Sequence, residues 1–433
     1  MFHLKENGTT VKTEVLAGMT TFLTMAYIVI VNPVILGAAG VPFDQVFLAT
    51  IIAAVIGTLW MALLANYPIA IAPGMGLNAY FTSMVLASGG TIDYVTAFAA
   101  VFVSGLLFVA LSLTSMRRVL IQAIPENLKY AITAGIGLFI AFIGMRMSGL
   151  IVANEANLVG LGDLTSAPVA LTLAGLVITL IFMSLNIHGG IFFGMIATGI
   201  IAFFTGQLTF TGTFLQVPSL PEGIIIWNPI EALQLVIQFG LYGVVFSFLL
   251  VTLFDTTGTM IGVAKQAGLM KGNTMPRVRQ ALLADSVAAS AGAMVGTSPT
   301  SAYVESSAGV AAGGRTGLTT LTVAILFMVA AFFGPLVASL SNVAAITSPA
   351  LIIVGSLMIS AVKHIEWDKF EEAFPAFLII LAMPLTSSIA TGIALGFISY
   401  PLMKVFKGHW KSVHPILYIF AVLFTVQIII APH

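Results

Sequence analysis

The chain has 433 residues, 59% of them apolar and only 7% charged, with 16 Lys and Arg balancing 16 Asp and Glu. Soluble chains carry about 25% charged residues, so a water-soluble enzyme is excluded, and zero net charge points away from nucleic acid. The absence of cysteine excludes disulfides, thiolate metal sites and cysteine nucleophiles. A mean hydropathy of +1.09 and long continuous apolar runs predict an all-α polytopic membrane protein rather than an alternating β-barrel.

In chain order, residues 1–14 read as a polar cytoplasmic tail without a small-residue cleavage site. A spanning helix needs about 20 mostly apolar residues. Segments 15–37, 45–66, 69–88, 93–115, 126–148, 168–186 and 189–206 form a first set of seven, 15–206. Residues 207–230 are an extracellular loop. The segments 231–263, 279–297, 299–312, 315–337, 345–362, 371–385 and 387–405 form a second seven, 231–405. Residues 406–433 close the chain and hold one further apolar stretch, 414–431.

Alternating from a cytoplasmic N-terminus, the inner side collects Lys5, Lys12, Arg117, Arg118, Lys129, Lys265, Lys271, Arg277, Arg279, Arg315, Lys363, Lys369, Lys404, Lys407 and Lys411, against Arg146 alone outside. That asymmetry obeys the positive-inside rule. The outer loops hold Asp44, Asp93, Glu155, Asp163, Glu222 and Glu231.

Seven is odd, so the second half enters the membrane inverted, the plan of many secondary transporters. The pentapeptide Ile196-Ala197-Thr198-Gly199-Ile200 recurs as Ile389-Ala390-Thr391-Gly392-Ile393. The third segment of each half is interrupted by proline, at Pro73 and at Pro299, at matching distances from Gly18 and Gly243 to within one residue. Proline lacks a backbone donor and sits best in the first turn of a helix. Each segment therefore reads as an extended stretch followed by a half-helix starting near its proline. Irregular backbone at membrane depth survives only against protein or a cavity, and the half-helix starts offer free N–H groups and positive dipole ends.

Three acids fall inside apolar segments: Asp255, Asp285 and Glu305. Such acids are costly and mark function by default. Asp255 and Thr259 share a helix face at i and i+4. Glu305 is expected about one and a half turns into the second half-helix. Asp285 has no helix break beside it and is read as a structural helix–helix bond. His188, His364, His409 and His414 lie in loops or boundaries without ligand spacing, and His3 and His433 are terminal. No metal, cofactor, ATP-binding unit or soluble-type catalytic constellation is expected, so transport energy must come from an ion or substrate gradient.

At these residues the chain resembles the purine-permease (AzgA-like) branch of the nucleobase–ascorbate transporter superfamily. The motifs are Ala17-Gly18-Met19-Thr20-Thr21-Phe22-Leu23-Thr24-Met25-Ala26-Tyr27, Ile69-Ala70-Ile71-Ala72-Pro73-Gly74-Met75-Gly76-Leu77-Asn78-Ala79, Phe254-Asp255-Thr256-Thr257-Gly258-Thr259 and Tyr303-Val304-Glu305-Ser306-Ser307-Ala308-Gly309-Val310. The resemblance implies a core domain from spans 1–4 and 8–11, a gate domain from spans 5–7 and 12–14, and often a homodimer in the plasma or inner membrane. It implies import of a purine base (hypoxanthine, guanine or adenine) bound between the half-helices, with a proton as the coupling ion ahead of sodium. Asp255 and Glu305 would accept from the ring N–H groups and serve as proton-coupling acids. Asn78 begins the third-span side of the site, and Thr259 stands where some uracil transporters have His. Val304 stands where the uracil and xanthine pattern has Gly, and Ser306 where it has Asn; Asn78, Thr259 and Ser306 are expected to bind substrate together with the two acids.

The chemistry agrees independently. A purine is flat and neutral, with edge donors that carboxylates accept and a face on which Tyr80, Phe81 or Phe254 can stack. An anion exchanger of the same fold, carrying sulfate or bicarbonate, is the alternative; two buried acids would repel such a substrate. A membrane enzyme lacks a reactive constellation.

This topology places Ser219 outside and Lys265 inside. Single cysteines introduced there should respectively react and fail to react with an impermeant maleimide on intact cells; labelling at position 265 would overturn the count.

Overall fold

The computed structural model describes residues 2–114, 123–210, 213–271 and 275–430. Arg117, Arg118 and His433, which entered the sequence reading, lie outside the described residues. Among those described, nine helices are long and apolar enough to cross a membrane.

The first span is two helices, α1 (Val11–Met25) and α2 (Ile28–Gly37). It starts four residues earlier than expected because Thr10 caps it, accepting from the Thr13 N–H at 3.2 Å. After α3 (Phe43–Trp60) and a π-turn (Met61–Ala65), the third segment is broken as predicted. A strand, β1 (Ile71–Pro73), leads directly into α4 (Met75–Ala87). Next come α5 (Tyr94–Leu113) and α6 (Glu126–Met147), then a short hairpin of β2 (Ile151–Asn154) and β3 (Leu158–Leu161), absent from the sequence reading. Helices α7 (Ala167–Ser184) and α8 (Gly190–Phe204) complete this half.

The expected span 231–263 is in fact two helices, α9 (Pro229–Gln238) and α10 (Tyr242–Gln266). Gly240, with a φ of 64°, turns the chain between them. Helix α9 lies against α5 and exposes Ile230, Leu233 and Ile237. Helix α11 (Val278–Val295) leads into β4 (Thr300–Ala302), the six-residue α12 (Ser306–Ala311) and α13 (Gly317–Ala330). Helices α14 (Gly334–Ser341), α15 (Ala344–Ile359), α16 (Phe370–Leu385), α17 (Ile389–Phe406) and α18 (Pro415–Ile430) follow. The repeated pentapeptide opens α17 but lies midway along α8, so the two copies are not at equivalent depths.

The helices pack as two groups. In one, α11 lies on α3 and α5, and α1 on α12 and α13. In the other, α6 packs on α15 and α16, α16 on α17, and α7 on α8 and α15, with α18 laid along α17. Small residues allow the approach, as in other membrane bundles. A Cβ on Gly309 would fall 2.0 Å from Thr21 Oγ1, and one on Gly355 would fall 2.4 Å from the Gly137 carbonyl. The second group is also tied by ions: Lys404 Nζ lies 2.6 Å from Glu372 Oε1, and Asn127 donates to Glu372 Oε2 at 2.7 Å.

Strands β1 and β4 pair antiparallel where the two broken segments cross, with Ala72 opposite Ser301. The register shows that Pro73 and Pro299 are not equivalent. Pro73 ends β1, whereas Pro299 precedes β4, whose three extended residues delay the second half-helix to Ser306. Glu305 is consequently the cap residue before α12, not a residue one and a half turns inside it.

Asp285 forms the structural bond expected of it. Its carboxylate accepts from Thr256 on α10 and, at 2.6 Å, from Thr300 on β4. Thr256 Oγ1 in turn accepts from the Ala302 N–H at 3.2 Å. One buried acid thus joins α10, α11 and the strand. Asp285→Ala removes the carboxylate that two buried hydroxyls share as acceptor and should cost about 2 kcal/mol. The purified variant is expected to melt at clearly lower temperature than wild type; an unchanged melting curve would contradict this role.

Candidate functional site

The crossing satisfies its own backbone. The Gly74 N–H donates to the Pro299 carbonyl at 2.9 Å, and the Tyr303 N–H to the Ala70 carbonyl at 3.0 Å. Thr58 serves β1 as Thr256 serves β4, donating to the Ile71 carbonyl at 3.0 Å and accepting from the Ile71 N–H at 3.1 Å. The Tyr303 hydroxyl donates to the Pro73 carbonyl at 2.6 Å. Each of these backbone groups therefore finds protein, as a water-poor environment demands.

Two carboxylates stand at this crossing. Asp255 projects from the middle of α10 beside the Ser301 hydroxyl, and Glu305 precedes α12. They are near enough to act on one another electrostatically, and Tyr303 feels both. The Tyr27 hydroxyl donates to Glu305 Oε1 at 2.6 Å, a contact the sequence reading did not name. Its only trace in the sequence is a tyrosine at the end of the first motif, where α1 gives way to α2.

Thr259 lies one turn from Asp255 and is half-buried. Open space borders this face, since a Cβ on Gly258 or Gly262 would meet nothing within 4 Å. Val304 is 62% exposed on the neighbouring loop.

Ser306 and Asn78 sit deeper. Ser306 is fully buried and its hydroxyl accepts from the Ala70 N–H at 3.0 Å, which fastens α12 to the other broken segment. Asn78 is also fully buried; its amide donates to Asn32 Oδ1 at 3.0 Å, while its own Oδ1 has no partner. Asn32 donates onward to Thr50 and Thr297 at 2.7 and 2.8 Å. Of the aromatic candidates, Phe81 stacks on Phe98 with centroids 4.5 Å apart, and Tyr80 packs against Phe248 at 4.8 Å. Both are committed to the core. Phe254 remains half-buried beside Asp255, with Lys129 Nζ of α6 5.8 Å from its ring centroid.

The two helix groups meet beside the crossing. A Cβ on Gly76, in the first turn of α4, would fall 2.3 Å from Ile136 Cγ2 of α6. Glycine there is what lets α6 lie against the half-helix.

Two broken segments crossing within a helical bundle, two carboxylates at the crossing and two helix groups meeting beside it define a membrane permease rather than an enzyme. Comparison with known proteins narrows the class. A model described as "Permease family" matches residues 12–395. The guanine/hypoxanthine permease PbuO of Bacillus subtilis (strain 168) is 65% identical over 431 residues, covering 99% of this chain and all of that one. The adenine permease AdeQ of Escherichia coli (strain K12) is 44% identical, covering 99% of this chain and 96% of its own. The chain belongs to the purine permease family.

Among solved structures, the transmembrane domain of the cyanobacterium bicarbonate transporter BicA superposes with a TM-score of 0.63 at 16% identity, covering 88% of this chain and 97% of that one. The overall structure of SLC26A9 gives 0.67 at 14% identity, covering 92% of this chain and 66% of that one. These likenesses concern the fold.

Gly76→Ala should impair uptake strongly by forcing α6 off α4, and Ile136→Ala in the same chain should restore part of it. Transport assays in proteoliposomes on the two single variants and the pair would check this; a Gly76→Ala protein with wild-type rates would refute the contact's importance.

Proposed function

We propose that this chain imports purine nucleobases of the guanine and hypoxanthine class, with adenine as a further candidate, by proton symport across the plasma or inner membrane. The observation that carries this is the pair of carboxylates, Asp255 and Glu305, at the crossing of two broken segments, in a chain 65% identical to a guanine/hypoxanthine permease. Carboxylates accept from the N–H edge of a purine. Thr259 and Phe254 line the open face, the first as a polar contact and the second as a stacking surface. Ser306 contributes at the site by holding α12 on β1, and Asn78 through its unpartnered oxygen. An anion as substrate finds no support here, because both acids would repel it.

In this reading the helices form two inverted sets of seven, 15–206 and 231–405, joined by the outer loop 207–230. Spans 1–4 and 8–11 make a core that slides against a gate of spans 5–7 and 12–14. The N-terminus is cytoplasmic in this reading. A proton moves with the base on Glu305, the first choice as coupling acid, with Asp255 as the alternative. Two copies assemble as a homodimer.

Glu305→Gln tests the assignment because it keeps the shape and removes the ionisable group. Concentrative uptake of labelled hypoxanthine or guanine should collapse, as wild-type uptake does with a protonophore, while the variant stays folded and monodisperse. Wild-type accumulation by the variant, or sodium-dependent and protonophore-insensitive accumulation by the native protein, would remove Glu305 as the coupling acid. Asp255→Ala should weaken base binding more than Asp285→Asn does; equal affinity loss at normal thermal stability would contradict that division. A panel with adenine, xanthine, uracil and sulfate sets the substrate range; sulfate uptake would favour the anion reading.

A further inference from the structure

Tyr27 occupies the break between α1 and α2, a place defined by the chain's own geometry. Helix α1 ends at Met25 and α2 begins at Ile28, so Tyr27 is in neither helix interior. Its side chain is 1% exposed, too enclosed to reach substrate. Among the described residues it is the side chain that hydrogen-bonds the Glu305 carboxylate, at 2.6 Å through Oε1.

The contact is held from both sides. Thr24 Oγ1, one turn earlier on α1, reaches the Glu305 carbonyl at 3.4 Å. Helix α1 is pressed onto α12 at Gly309, where a Cβ would also fall 2.7 Å from the Ala17 carbonyl. Farther along, the fully buried Glu14 clasps the start of α13, accepting from the Arg315 N–H at 2.9 Å and the Thr319 hydroxyl at 2.6 Å. The phenol therefore travels with α12 and cannot drift from Glu305.

We propose that Tyr27 is the positioning residue of the coupling acid: its hydroxyl occupies Glu305 Oε1, so that the exchanged proton is carried on Oε2. The inference rests on the proton-symport reading of Glu305 given above. A phenol donates more strongly to a carboxylate than to a protonated acid. Its presence favours release of the proton, and its removal favours retention. The other titratable groups facing Glu305 are Asp255 from α10 and Tyr303 from its own segment. Neither changes when Tyr27 loses its hydroxyl.

The experiment is the pH profile of hypoxanthine uptake in proteoliposomes with fixed internal pH, compared for wild type, Tyr27→Phe and a protein carrying 3-fluorotyrosine at position 27. A hydrogen bond to a charged group supports a shift of about one pH unit, or tenfold in proton concentration. Tyr27→Phe should move the half-maximal pH upward by about that amount. The more acidic fluorophenol should move it downward. Thermal melting and gel filtration establish that both proteins are folded, and the fluorinated chain retains the hydrogen bond should the phenylalanine variant fail to fold. A profile unmoved by either change, with only the maximal rate reduced, would overturn the positioning role and leave proton symport intact. A flat, protonophore-insensitive profile in wild type would overturn the symport reading and this inference with it.

Discussion

Two three-residue strands, hydrogen-bonded to one another in the middle of a helical bundle, are the constraint on which the rest of the molecule depends. Extended backbone inside a bilayer leaves donors and acceptors that cannot turn to water. Here each broken segment supplies what the other lacks: Gly74 finds Pro299, Tyr303 finds Ala70, and the register sets Ala72 against Ser301. A single broken segment would have no such partner. The pairing brings residues far apart in sequence to one place and directs α4 and α12 away from it.

Around that crossing, buried polar side chains are divided by task. Asp285, Thr256, Thr300, Thr58 and Ser306 have their hydrogen-bonding capacity engaged with strands and neighbouring helices. They hold the scaffold. Asp255 and Glu305 are paired more lightly, with the Ser301 and Tyr27 hydroxyls respectively. Buried polar groups persist where protein satisfies them. Asp285 and Asp255, both aspartates on adjacent helices, show how far environment separates two identical side chains.

The two helix groups differ in how they cohere. The group containing the crossing is knitted by hydrogen bonds through its broken segments and by glycine contacts such as Gly309 on Thr21. The other relies on glycine faces between α6, α15 and α16 and on the Lys404–Glu372 pair with Asn127. Between them, Gly76 lies against Ile136, Lys129 above Phe254, and Phe246 of α10 against Phe420 and Phe424 of α18.

Much of this was legible in the residues. Hydropathy located the nine long apolar helices seen among the described residues, the prolines marked the third segment of each half as broken, and the three acids within apolar segments stood out because a lipid environment makes every other placement of charge cheaper. The i, i+4 relation of Asp255 and Thr259 followed from helical periodicity alone. Tertiary structure decided what periodicity does not encode. The strand register separated Pro73 from Pro299 and moved Glu305 to the cap of α12, because antiparallel pairing consumes three residues that a local reading assigns to helix. The turn at Gly240 divided one apolar run into α9 and α10, since hydropathy is blind to the direction of the chain. Tyr80 and Phe81 were drawn into the core by Phe248 and Phe98, and Tyr27 acquired Glu305. A hydrogen bond across 278 positions of sequence leaves no local signal, because its two ends meet only when the fold brings them together.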